Sequence, residues 1–191
     1  MKKLLIALIG FVPMMISCGG GGDSSKNSKD STQVDSLIAY FHKLDSLQNS
    51  GQLFHIDVYD LGKLKSVEFQ VFNIKCQDES LQYINLRKDC GSAYYYDWED
   101  ARLLQSEVKY FTAAIDTITA NYERKVKNEE RYIYVTKDDI RLYSSSSGDK
   151  WYVSLSVDYR KKDATIVLSK EDLATLKKML LEGEKKIKEI K

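Results

Sequence analysis

The side chains that could do chemistry are few and scattered. Asp97, Glu99 and Asp100 stand together in the stretch Tyr-Tyr-Tyr-Asp-Trp-Glu-Asp. Two carboxyls at a suitable separation can act as general acid and nucleophile on a glycosidic bond. The same acids suit the first turn of a helix, where carboxylates complement the exposed N–H groups. That reading needs no catalysis and is the one adopted. His42 and His55 lie on different elements, with no second His or Cys at metal-ligand spacing. No H-E-x-x-H, G-x-S-x-G, G-x-x-x-x-G-K-[ST] or G-x-G-x-x-G pattern occurs. No catalytic residue, metal ligand or cofactor is therefore assigned. Cys76 and Cys90 flank the segment Leu81–Lys88. As a strand, that segment would hold them beyond the roughly 7 Å Cα reach of a disulfide, so two separate thiols are expected.

Aromatic residues offer more than the acids do. Thirteen tyrosines are present. Tyr94, Tyr95 and Tyr96 are consecutive, so on a half-buried strand at least one must face away from the core. Trp151 and Tyr152 repeat the situation later in the chain. Amphipathic rings favour interfaces and can stack on sugars or on apolar groups of a partner. Tyrosine also simply packs well in sheets. These five residues form the candidate binding surface.

The first residues read as an address. Lys2 and Lys3 precede an apolar run, Leu4–Ile16, interrupted by Gly10 and Pro13. Such a run is shorter than the roughly 20 residues that cross a bilayer as a helix, and it has the form of a secretory signal. Ile16-Ser17-Cys18 resembles the end of a bacterial lipobox. The resemblance implies a signal peptide over residues 1–17, cleavage before Cys18, and diacylglycerol on that cysteine. Gly19–Ser31 contains no large apolar residue, so it cannot offset the entropy of folding. It is read as a tether spanning about 20 Å. Gly19 is not the Asp that retains enteric lipoproteins at the inner membrane, so the resemblance points to the outer membrane. The face remains open.

These side chains need elements to carry them. Val34, Leu37, Ile38, Phe41, Leu44 and Leu47 follow the helical period and predict an N-terminal helix over residues 32–50. Strands are predicted at Leu53–Tyr59, Leu64–Lys75, Leu81–Lys88 and Ala93–Tyr96, followed by a helix from Trp98 to about Asn121. Strands follow again at Arg131–Thr136, Ile140–Tyr143, Trp151–Tyr159 and Ala164–Leu168, with a helix from Lys170 onward. Ser144–Ser147 is read as a hairpin tip. An offset of 72 residues superposes Ala101 on Leu173, Leu104 on Leu176 and Asp100 on Asp172. The expected fold class is therefore α+β. An N-terminal helix precedes two meander-plus-helix units, 52–124 and 129–191, as a degenerate ββββα duplication within one domain over 32–191. That order resembles the Whirly type of single-strand-DNA-binding domain in topology alone.

Composition narrows the function. Twenty-nine basic residues face twenty-eight acidic ones, which argues against a polybasic nucleic-acid binder. An exported address points the same way. Removing residues 1–17 takes two lysines and leaves the chain at −1. The expectation is a lipid-anchored, non-enzymatic domain that meets an envelope protein or glycan at the membrane. A hydrolase acting on glycan or peptide, or a structural accessory of an envelope complex, are the rivals.

Overall fold

The computed structural model describes Ala39, His42, Lys43, Asp45, Ser46, Gly51 and residues 53–76, 79–91 and 97–190. The chain divides into two compact units, Met1–Lys43 and Leu44–Lys191. In the first, the three described residues are helical.

Alternation of apolar and polar residues builds the sheets of the second unit. In Val67-Glu68-Phe69-Gln70-Val71, every other side chain is buried, the period of a strand with one covered face. This strand, β2 (Val67–Cys76), pairs antiparallel with β1 (His55–Leu64) and with β3 (Glu79–Asp89), and β4 (Trp98–Leu103) completes the order β1-β2-β3-β4. A second meander has the order β5-β6-β7-β8, from β5 (Glu130–Val135), β6 (Arg141–Ser147), β7 (Lys150–Ser156) and β8 (Thr165–Leu168). Helix α1 (Gln105–Asn121) joins the two sheets, and helix α2 (Lys170–Ile190) ends the chain.

The expected α+β class, an N-terminal helix followed by two meander-plus-helix units, is overturned. The described residues are mostly β: two antiparallel four-stranded sheets with two helices, one of them at the C-terminal end. Of 32–50, only five residues are described, so the helix read there falls largely outside the description. Nor does each helix cover the sheet that precedes it. Helix α2 follows β8 yet lies across β1, β2 and β3, while α1 touches β3, β5 and β6. The two helices pack on one another, and a single apolar cluster draws on both sheets. The reason is burial: the inner face of the first sheet, with Val71, Ile84 and Leu86 fully covered, needs more apolar cover than α1 supplies.

Local expectations are corrected as well. Trp98–Leu103 is a strand rather than the start of a helix, because Asp100 pairs across to Arg87 while Ala101 and Leu103 point into the core. Apolar residues at 101 and 104 satisfy the helical period, but the cross-strand partners decide the outcome. Helix α1 starts at Gln105, with the Glu107 carboxylate accepting the Leu104 N–H at 3.2 Å. Helix α2 starts after Ser169, whose N–H donates to Asp172 Oδ2 at 2.8 Å while its Oγ accepts the Asp172 N–H. Leu104 and Ser169 are 65 positions apart, so the offset of 72 fails. Strand β1 carries a bulge between Asp60 and Gly62, where Gly62 has φ of 104°. Ser144–Ser147 continue β6, and the turn falls on Gly148 and Asp149.

Candidate binding face

The second sheet has one covered face and one open face. Leu142, Val153, Leu155, Ile166 and Leu168 fill the core side. The alternate residues point outward: Ile133 of β5 stands beside Tyr143 of β6, which pairs with Ser154 of β7, which pairs with Val167 of β8. Ile133 is 61% exposed, Val167 52% and Tyr152 44%. Ser154 in their midst is only 4% exposed, because its short side chain lies below its large neighbours. The result is an apolar and aromatic surface.

Arg141 sits at one end of this face, in register with Ser156. Its guanidinium lies 5.8 Å from the Tyr143 ring centroid and 5.5 Å from that of Tyr159. Cation–π attraction holds a guanidinium between such rings without neutralising it. Tyr143 and Tyr152 lie on adjacent strands with ring centroids 6.4 Å apart. At the rim, Arg160 donates to Asp158 at 2.9 Å, and this guanidinium holds the Asp158 carboxyl below its ordinary range.

The predicted aromatic residues separate. Tyr152 belongs to the open face, but Trp151 points to the other side. There its Nε1 donates to the Arg124 carbonyl at 2.9 Å and its ring stacks on Tyr132 at 6.2 Å. Trp151 is a structural pin, as strand alternation requires of an adjacent pair. Tyr94, Tyr95, Tyr96 and Cys18 lie outside the described residues. Arg141, Tyr143 and Tyr159 escaped the sequence reading. The alternation of Arg141, Tyr143 and Ser145 with buried Leu142 and Ser144 was the available signal. The run of serines hid it by resembling a loop.

The acids of the hydrolase reading do not converge. Asp100 accepts from Arg87 at 2.8 Å and from Asn85 at 2.9 Å on one face of β4. Glu99, on the other face, pairs with Lys161. Another polar cluster occupies the far end of the first sheet. Asp57 meets Lys75 at 2.8 Å and His55 at 2.9 Å, and accepts from buried Asn73. The hydrogen bond from Lys75, then that from His55, pulls the Asp57 carboxyl down to about 2. An ionised carboxylate saturated with donors is a poor proton acceptor, so this cluster organises the strand ends. His42 is exposed. Among the described residues, no three His, Cys, Asp or Glu side chains are placed to share a metal ion. Cys76 and Cys90 lie at opposite ends of β3, and no disulfide joins them.

Among the described residues, grooves flank the sheets. One, of about 530 Å³, runs between β1 and α2, with Lys186 Nζ 4.4 Å from the Tyr59 ring. A smaller one, of about 220 Å³, separates α1 from the edge strand β5. Comparison of the sequence with protein-family models and with curated proteins finds no match, so function has to be read from this chain's own chemistry.

Proposed function

We propose that the chain is an envelope lipoprotein anchored through Cys18, and that its β-rich domain is a non-enzymatic binding module. The outer membrane is the favoured site of attachment. The open face of β5–β8 is its working surface. One observation carries this reading: Ile133, Tyr143, Tyr152 and Val167 stand together on a sheet face, three of them at 44% exposure or more. Large exposed apolar patches are uncommon on soluble domains and mark contact surfaces. The lipobox-like Ile16-Ser17-Cys18 and the glycine-rich tether support the anchor. A chain with one lipidated cysteine and a tether of about 20 Å keeps such a face close to the membrane plane.

Two measurements test the proposal. Cys18→Ala is expected to move the protein from the membrane fraction to the soluble fraction. Crosslinking in intact cells, followed by affinity capture, is expected to recover a defined envelope component with the wild-type chain and lose it with Tyr152→Ala. Capture that is indifferent to Tyr152→Ala and Ile133→Asp would remove the open face from the reading. Retention of the Cys18→Ala protein in membranes would remove the anchor.

A further inference from the structure

Resting on the reading of the open face as a binding surface, we propose that its ligand is an acidic glycan. Arg141 anchors a sugar carboxylate, and Tyr143 and Tyr152 stack on pyranose rings.

The chain has six arginines, and five of them meet a carboxylate. Arg87 pairs with Asp100, Arg102 with Asp138, Arg124 with Glu130, Arg131 with Glu129 and Arg160 with Asp158. Arg141 is the exception among the described residues. Its Nε is shielded from solvent and has no acceptor among the described residues. An arginine that no carboxylate neutralises keeps its full charge, so an arriving oxyanion gains more here than at an arginine already paired. The two tyrosine rings hold the guanidinium in place, which lowers the ordering cost of binding.

The surroundings select the class of anion. A phosphate polymer would call for a run of unpaired cations, each contributing through counterion release. Here the other arginines of the rim, Arg131 and Arg160, are matched by Glu129 and by Asp158. One open guanidinium beside two neutral rings fits a ligand with sparse negative charge and extensive C–H surface. Pyranose rings offer that surface to tyrosine faces, and a uronic acid adds a planar carboxylate suited to the guanidinium fork. The Tyr143 and Tyr152 rings, 6.4 Å apart and tilted by 60°, present two differently inclined faces to a ligand.

The test uses the purified full chain with a uronic-acid oligosaccharide, oligogalacturonate, titrated calorimetrically. Its carboxyl-reduced neutral counterpart and a glutamate oligopeptide of matched charge are run in parallel. The acidic saccharide is expected to bind, and the neutral one to bind at least about tenfold more weakly, the loss of one charge-assisted contact. Arg141→Gln is expected to lower affinity by a similar factor, with Arg141→Lys falling between. Tyr152→Ala lowers it without altering the preference for the acidic saccharide. Unchanged far-ultraviolet circular dichroism and an unchanged melting curve for Arg141→Lys and Tyr152→Ala establish that the fold is intact.

Equal binding of the acidic and neutral saccharides, or indifference to both Arg141 variants, would overturn the proposal. So would equal or tighter binding of the glutamate peptide, which would assign the face to acidic protein partners. Failure of the saccharide to bind at all also overturns it. In that event, Tyr152-dependent capture in cells would still uphold the binding face, so the two readings fail separately.

Discussion

Gly183 of α2 rests against Ile84 of β3 so closely that a Cβ on the glycine would lie 2.6 Å from Ile84 Cδ1. Leu61 Cδ1 would be 2.9 Å away on the other side. Alanine is the better helix former by about 1 kcal/mol, so propensity alone predicts that Gly183→Ala stabilises. Ile84 is fully buried, however, and overpacking a filled core costs about 1–3 kcal/mol. Gly183→Ala is expected to lose about 1 kcal/mol or more in urea denaturation. Adding Ile84→Val should recover much of that loss. A stabilised single variant would show that α2 can shift off the sheet.

Asp138 ties the loop between β5 and β6 to the edge strand β4. Its Oδ2 accepts the Arg102 backbone N–H at 2.7 Å and the Arg102 Nε at 3.1 Å. A carboxylate on an edge strand satisfies outward backbone groups that would otherwise invite pairing with another chain. Both side chains are about a quarter exposed, so the contact is only partly screened. Asp138→Ala is expected to cost about 1–3 kcal/mol, with Asp138→Asn recovering part of it. A loss below about 0.5 kcal/mol, the range of ordinary surface pairs, would contradict this role.

Asp57 ties acid stability to the end of the first sheet. Its folded pKa is held at about 2, against an ordinary 3.8, first by Lys75 and then by His55. A depressed carboxylate contributes stability that is fully present above its unfolded pKa and lost as pH falls through the folded value. Melting temperature should therefore fall between about pH 4 and pH 2, and Asp57→Asn should flatten that dependence. Parallel pH profiles for the two proteins would rule out Asp57 as a source of the acid sensitivity.

Ser144 carries a fully buried hydroxyl whose Oγ has no hydrogen-bond partner among the described residues. It faces the core beside Val153 of β7. Burying an unmade hydrogen bond costs about 1–3 kcal/mol, whereas replacing the hydroxyl by hydrogen removes that cost at little loss of packing. Ser144→Ala is expected to raise stability by about 1 kcal/mol. Destabilisation by a similar amount would mean that the hydroxyl is bonded after all.

How far the fold can be read from the sequence varies from element to element. Strand β2 and helix α2 were legible because their signals are local: alternation along Val67–Val71, and the Ser169–Asp172 cap ahead of an apolar stripe. The start of α1 was not. Ala101 and Leu104 fit a helix, and only the pairing of Asp100 with Arg87 on β3 makes Trp98–Leu103 a strand. The site shows the same division. Tyr152 could be singled out as an aromatic on a strand, but its neighbour Trp151 could not be assigned to the opposite face without the register of β7 on β6.

What the sequence determined by itself was periodicity and charge. It marked where strands and the last helix form, balanced acids against bases, and supplied the lipobox-like residues at the start. Tertiary structure alone decided that α2 reaches beyond β8 to cover β1–β3, and that, among the described residues, one arginine of six meets no carboxylate. The physical reason is range. Hydrophobic period and capping act between residues three or four positions apart. Ion pairing and helix placement depend on side chains brought together from distant parts of the chain, such as Arg102 with Asp138 and Gly183 with Ile84.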